Sequence, residues 1–151
     1  MIPVRLYIVI TILFLSSLLL VGCSEDNTID WKPTPAFISD DMDLHGTKGK
    51  FGIRKVNGED VEPEFPVVDQ GRLYQLYFLD STKTKGFNGK TYKMLATHKD
   101  SEETIELYED SIENNQSGAK FVLEKTGLWK IDVLVDNELY TSFVVEAKTN
   151  E

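Results

Sequence analysis

Residues 36–151 predict an all-β antiparallel fold, a sandwich or barrel, and three observations carry that expectation. From Ala36 onward the chain is a succession of short runs rich in β-branched and aromatic residues, separated by clusters of Gly, Asp, Asn, Ser and Pro. Nine such runs fit into about 112 residues, the spacing of short strands. Near the C-terminus, Trp129, Ile131, Val133 and Val135 alternate with Lys130, Asp132 and Leu134 before the turn residues Asp136-Asn137, the pattern of a hairpin with one buried face.

In chain order, the first run is 36–39, entered from Pro33 and Pro35, which favour extended backbone. The runs 50–56, 64–68 and 73–80 follow, each built on Phe, Tyr, Val or Ile. Run 92–98 places His98 on the face of Tyr92, Met94 and Ala96, as a partly buried edge residue. Residues 101–117 admit two readings: a strand over 104–108 with a short helical turn after it, or a helix showing Ile105, Tyr108 and Ile112 on one face. The β character of the flanking runs favours the strand. Runs 119–124, 128–135 and 139–147 complete the set, the last alternating less cleanly than the one before it.

The N-terminus is a different kind of sequence. Residues 6–20, LYIVITILFLSSLLL, are uncharged, follow Arg5 and lead to Val21-Gly22-Cys23. Basic residue, apolar run and small-residue boundary are the order of a secretory signal peptide. The run approaches the roughly 17 residues needed to span a bilayer, so an uncleaved transmembrane anchor is the competing reading. In both readings Arg5 keeps the N-terminus cytoplasmic and the remainder is exported. Residues 24–35, SEDNTIDWKPTP, read as a polar tether in which Trp31 packs on the domain edge or at the lipid interface.

Cys23 is the only cysteine. A disulfide has no second cysteine in the chain. A reactive thiol wants an electropositive pocket, whereas Ser24, Glu25, Asp26 and Asn27 follow it. Zinc wants about four ligands, and the two histidines, His45 and His98, are remote in sequence. Leu20-Val21-Gly22-Cys23 resembles the lipobox of bacterial lipoproteins. That resemblance implies a diacylglyceryl-modified, acylated Cys23 (a palmitate-type anchor), cleavage after Gly22, and a chain held at the cell membrane facing outward. Two or more acyl chains suffice for stable anchoring, since each buried methylene contributes about 0.8 kcal/mol. The implied organisation is a signal peptide over 1–22, a lipidated cysteine and tether over 23–35, and a β domain over 36–151. Loss of the first 22 residues removes Arg5 and leaves 15 basic against 25 acidic residues. Such a surface disfavours nucleic acid and anionic lipid headgroups.

A second resemblance concerns the domain. Gly127-Leu128-Trp129-Lys130-Ile131-Asp132-Val133 with its Asp-Asn turn is similar to the final hairpin of bacterial extracellular immunoglobulin-like domains. Together with Trp31, Phe37 and the segment 46–53, it resembles an uncharacterised immunoglobulin-like family of small lipoproteins in bacilli. The resemblance implies an immunoglobulin-like antiparallel β-sandwich without the paired cysteines of antibody domains, and it brings no catalytic residues.

Asp40, Asp41, Asp43 and Gly46 look like the first half of a calcium loop but lack the later acidic ligand, leaving Asp41 and Asp43 as weak metal candidates beside an ordinary connecting loop. Glu102, Glu103, Glu106, Glu109, Asp110 and Glu113 could in principle supply a glycosidase pair, but read better as a solvated face. No serine sits in a nucleophile elbow, and no glycine loop suits phosphate. The segment 83–90, KTKGFNGK, places Phe87 between Lys85 and Lys90 on an acidic protein, a candidate contact site whose alternative is a loop with Phe87 tucked onto the sandwich. Trp31 is a further binding candidate.

The expectation is thus a monomeric, non-enzymatic, cofactor-free binding or envelope-accessory lipoprotein, with an envelope protein or glycan as partner. A calcium-type module or small hydrolase built on the acidic loops is one alternative. A sensor or accessory lipoprotein in stress, sporulation or transport is the other.

Overall fold

A computed structural model describes residues 28–80, 82 and 86–150. Among them run β1 (Phe37–Ser39), β2 (Met42–Thr47), β3 (Phe51–Lys55), β4 (Arg72–Phe78), β5 (Thr91–His98), β6 (Thr104–Ser111), β7 (Gln116–Phe121), β8 (Gly127–Val135) and β9 (Glu138–Ala147), with no helix among the described residues. They form two antiparallel sheets, β1-β2-β3-β4-β7 and β6-β5-β8-β9. The chain remains in the first sheet through β4, crosses for β5 and β6, returns for β7 and crosses again into the β8–β9 hairpin. These crossings set β7 beside β4 and β8 beside β5, the interleaving of an immunoglobulin-like sandwich. The unit so built spans Trp31–Glu151, starting before the expected residue 36.

Period-two alternation builds the interior. Phe51 and Ile53 of β3, Leu76 and Phe78 of β4, Tyr92 and Met94 of β5, and Trp129, Ile131 and Val133 of β8 are buried in one cluster between the sheets. Full burial of an aliphatic or aromatic side chain of this kind contributes about 1.5–3 kcal/mol. The intervening residues face away: Gly52 and Arg54 on β3, Gln75 and Tyr77 on β4, Gln116, Gly118 and Lys120 on β7.

Three reversals use the same device. Asp40-Asp41, Asn114-Asn115 and Asp136-Asn137 each supply two consecutive residues at positive φ, between 48° and 64°. That conformation suits tight two-residue hairpins, and Asp and Asn tolerate it better than other residues with a Cβ.

Several expectations change. The stretch read as a metal-like loop is the Asp40-Asp41 turn followed by β2, an element the sequence reading missed because its acidic turn and Gly46 looked like loop. The run 64–68 is not a strand. Pro63 and Pro66 restrict its pairing, and it contributes one parallel bridge, with Val67 donating to the Lys148 carbonyl at 2.8 Å and Lys148 to that of Phe65 at 3.1 Å. Residues 101–117 contain a strand, as favoured, but it runs on to Ser111 and ends in the Asn114-Asn115 hairpin rather than a helical turn. Met94 pairs with Tyr108 and Leu95 with Glu106, so Leu107 is an inserted bulge residue. The insertion spaces Ile105 and Tyr108 by three, which imitates a helical repeat. An equivalent insertion at Tyr140, between the pairs Leu134–Leu139 and Val133–Thr141, accounts for the untidy alternation of β9.

The entry of the chain closes an edge. Thr34 donates its N–H to the Val144 carbonyl at 2.9 Å, and its hydroxyl accepts from the Val144 N–H at 3.0 Å. Pro33 and Pro35 lack N–H donors, so β9 is paired at this point and further strand addition there is discouraged.

Candidate functional site

Loop 56–71 joins β3 to β4, and its acid-rich middle is anchored by the cations at the two strand ends. The Glu62 carboxylate accepts from Arg72 Nε at 2.9 Å, Arg72 Nη2 at 2.5 Å and Lys55 Nζ at 3.2 Å. Its side chain is 2% exposed. The Arg72 fork, aided by Lys55, prevails over burial and holds the Glu62 pKa down at about 2. Gly58, at φ 99°, makes room: a Cβ there would lie 2.4 Å from Glu62 Oε2 and 2.7 Å from Arg72 Nε. The Lys55 N–H donates to the Glu64 carboxylate, Leu73 N–H to Asn57 Oδ1 at 2.7 Å, and the Tyr74 hydroxyl to the Glu64 carbonyl at 3.0 Å. Phe65 then enters the core, stacking on Tyr74 at 5.6 Å, which stacks on Phe121 at 4.2 Å.

The segment Val61-Glu62-Pro63 stands between two depressions. One, of about 730 Å³, is shared with Thr126, Gly127 and the chain leaving β9. The other, of about 440 Å³, lies against Thr34, His45 and Val144. Val61 is 89% exposed and borders both. The walls carry Glu59 and a Glu146–Lys148 ion pair at 3.0 Å. Such a groove suits reversible polar contact. Glu62 itself stays ionised far below neutrality with both oxygens engaged, so it serves as a clasp and not as a proton donor.

Sequence reading missed this clasp. Its signal was an acidic, Gly- and Pro-containing segment, GEDVEPEFP, between two strand-end cations.

The expected contact residues do not assemble. Phe87 is fully buried, 5.3 Å from Phe78 and 5.2 Å from Tyr140, which corrects its reading as an exposed contact. The reason is local: Phe87 N–H donates to Asn115 Oδ1 at 2.8 Å, Asn115 N–H to Asn88 Oδ1 at 2.9 Å and Gly89 N–H to the Ile112 carbonyl at 2.9 Å. The GFNG segment is thereby tied to the neighbouring hairpin with its ring inward. Lys90 lies 3.9 Å from Asp136. Lys85 and Cys23 lie outside the described residues. Trp31 is half-buried. Asp41 is in a turn at φ 61°, Asp43 is on β2 opposite Ile38, and no group of three or more His, Cys, Asp or Glu able to hold a metal occurs among the described residues.

His98 is 6% exposed and fully engaged. Its Nε2 donates to the Thr126 carbonyl at 3.0 Å, which leaves Nδ1 to accept from the Ser101 N–H at 3.3 Å, and the ring lies 4.8 Å from that of Trp129. The acidic stretch is exposed along β6, with Glu109 and Glu106 at 2.7 and 3.4 Å from Lys93.

No protein-family model matches the chain, and no curated protein matches its sequence. Among solved structures, the X-ray crystal structure of a "Putative Lipoprotein from Bacillus anthracis" is similar, with 19% identity, a TM-score of 0.61, and coverage of 80% of this chain and 88% of that one. At that identity the likeness establishes the β-sandwich fold.

Proposed function

We propose that this chain is a lipid-anchored lipoprotein on the outer side of the cell membrane, where its β-sandwich acts as a non-enzymatic binding or envelope-accessory module. The observation that carries the reading is the order Leu20-Val21-Gly22-Cys23, short polar segment, β-sandwich. A domain of the same fold in a protein described as a lipoprotein supports it. So does the state of the best-placed polar groups: Glu62 and His98 are both committed to internal hydrogen bonds, as parts of a scaffold. The test is Cys23→Ser in a bacterial host with radiolabelled fatty acid. The wild-type chain takes up label and fractionates with membranes. The variant loses label and is unprocessed or released; processing at the same site with unchanged membrane retention would refute the anchor.

A further inference from the structure

Gly118 has no structural reason to be glycine. It lies within β7, in an unbroken register with β4, away from any bulge and outside the positive-φ positions. A Cβ added to it would find only the Tyr74 carbonyl, at 3.9 Å. Glycine inside a strand weakens it, and where neither bulge nor bend requires it, it marks close approach by another body. No segment among the described residues fills the space, which points to a ligand.

The surroundings define that ligand. Gln75 is directly opposite Gly118, Arg54 is opposite Gln75, Tyr77 is opposite Gln116, and Lys120 lies two residues along β7. The outward positions of β3, β4 and β7 carry no carboxylate, in a chain with 25 acidic and 16 basic residues. Neither Arg54 nor Lys120 has an ion-pair partner among the described residues, a state shared with Lys48, Lys50 and Lys99 outside this face, whereas Lys55, Arg72, Lys90, Lys93, Lys125, Lys130 and Lys148 all have one. Arg54 shares a depression of about 300 Å³ with Glu59 and Asp60, which bound the face at that end without pairing with it. Two strand spacings and one two-residue step put the backbones of Arg54 and Lys120 roughly 12 Å apart. That is a disaccharide's reach.

We propose that this face binds an anionic glycan carrying a carboxylate or phosphate once every few sugar rings. The strand would cross Gly118, with a ring's apolar face on Tyr77, hydroxyls on the Gln75 and Gln116 amides, and its charges met by Arg54 and Lys120. The Gln75–Gln116 bond, 3.3 Å long, holds the two amides side by side. Sparse charge suits the net charge of −9, which repels dense polyanions. The inference rests on the binding-module reading and narrows it.

Hyaluronan decasaccharide, with one carboxylate per disaccharide, is the probe, titrated calorimetrically into the full chain in detergent micelles. Expected is salt-sensitive binding of about micromolar affinity, weakened about tenfold or more by carboxyl reduction of the sugar. Gly118→Leu and the double variant Arg54→Gln/Lys120→Gln each lose about tenfold at a melting temperature no lower than wild type, while Lys130→Gln on the opposite sheet binds as wild type. Absence of binding, equal binding of polyglutamate, or unchanged affinity in Gly118→Leu overturns the proposal. Retention of the chain on purified envelope material that survives Gly118→Leu also overturns this face, while leaving the binding-module reading standing.

Discussion

The two outer faces of the sandwich handle charge in opposite ways. On β6-β5-β8-β9, Lys93 sits between Glu106 and Glu109, and Lys130 lies 2.9 Å from Asp132, whose carboxylate also accepts from Ser142 at 2.5 Å. On β3, β4 and β7 of the other sheet, glycine, amides and tyrosine surround two cations that have no carboxylate partner among the described residues. A self-paired surface has little electrostatic preference left to offer a partner, and exposed pairs of this type add little stability. Cations unpaired among the described residues, on an amide-lined face, retain that preference. The acidic composition therefore describes the average surface and hides the face best suited to recognition.

Breaking the frame that both faces share gives the largest effect. Leu76, fully buried on β4, should cost about 2–5 kcal/mol as Leu76→Ala, read as a lowered denaturant midpoint at unchanged slope. Next comes the clasp at the end of the first sheet. Gly58→Ala places a methyl against Glu62 and Arg72 at a left-handed backbone position, whose strain alone is about 1–2 kcal/mol; a wild-type melting curve would show that the loop can open without consequence.

The same clasp should be visible in pH. Glu62 has its folded pKa depressed from near 4.5 to about 2, so its stabilisation is complete above pH 4.5 and lost as pH falls towards 2. The melting temperature should fall over that window, and Glu62→Gln should flatten that part of the fall. An identical pH profile in the variant would place the clasp outside the stability of the fold.

A smaller effect has the opposite sign. Gly118→Val fills open space in a strand with a β-branched residue and should stabilise by about 0.5–1 kcal/mol, sharpening the case that this glycine is not required by the fold. Destabilisation would mean that the backbone there needs glycine after all. Least of all should be felt on the charged sheet: Lys93→Gln should leave the melting temperature within about 2 °C of wild type in moderate salt. A larger drop would mean that the β6 carboxylates depend on that lysine.

Legibility in the sequence followed the range of the interactions. Strands with plain alternation, such as β5 and β8, were readable because side-chain period and burial coincide. β2 was not, since its strand character depends on pairing between Phe37–Ser39 and Met42–Thr47 around a turn whose acidic residues resemble a ligand loop. Bulges at Leu107 and Tyr140 broke the period and blurred β6 and β9. Phe87 was misplaced as a contact because its burial depends on Asn115, 28 residues away. The clasp was hidden similarly, with Glu62 meeting its two cations only when the β3–β4 register brings the strand ends together.

By itself the sequence determined that the chain past residue 36 is antiparallel β, a sandwich or barrel, because alternation and turn residues are local properties of neighbouring side chains; the pairing of strands into two sheets made it a sandwich. It likewise carried the order Leu20-Val21-Gly22-Cys23, a linear pattern that resembles a lipobox and on which the proposed anchor rests. Tertiary structure alone decided which cations are paired, that Phe87 belongs to the core, and that Gly118 opens onto an uncrowded face. Those outcomes depend on which residues meet across sheets and loops, and chain separation conceals such meetings until the fold is formed.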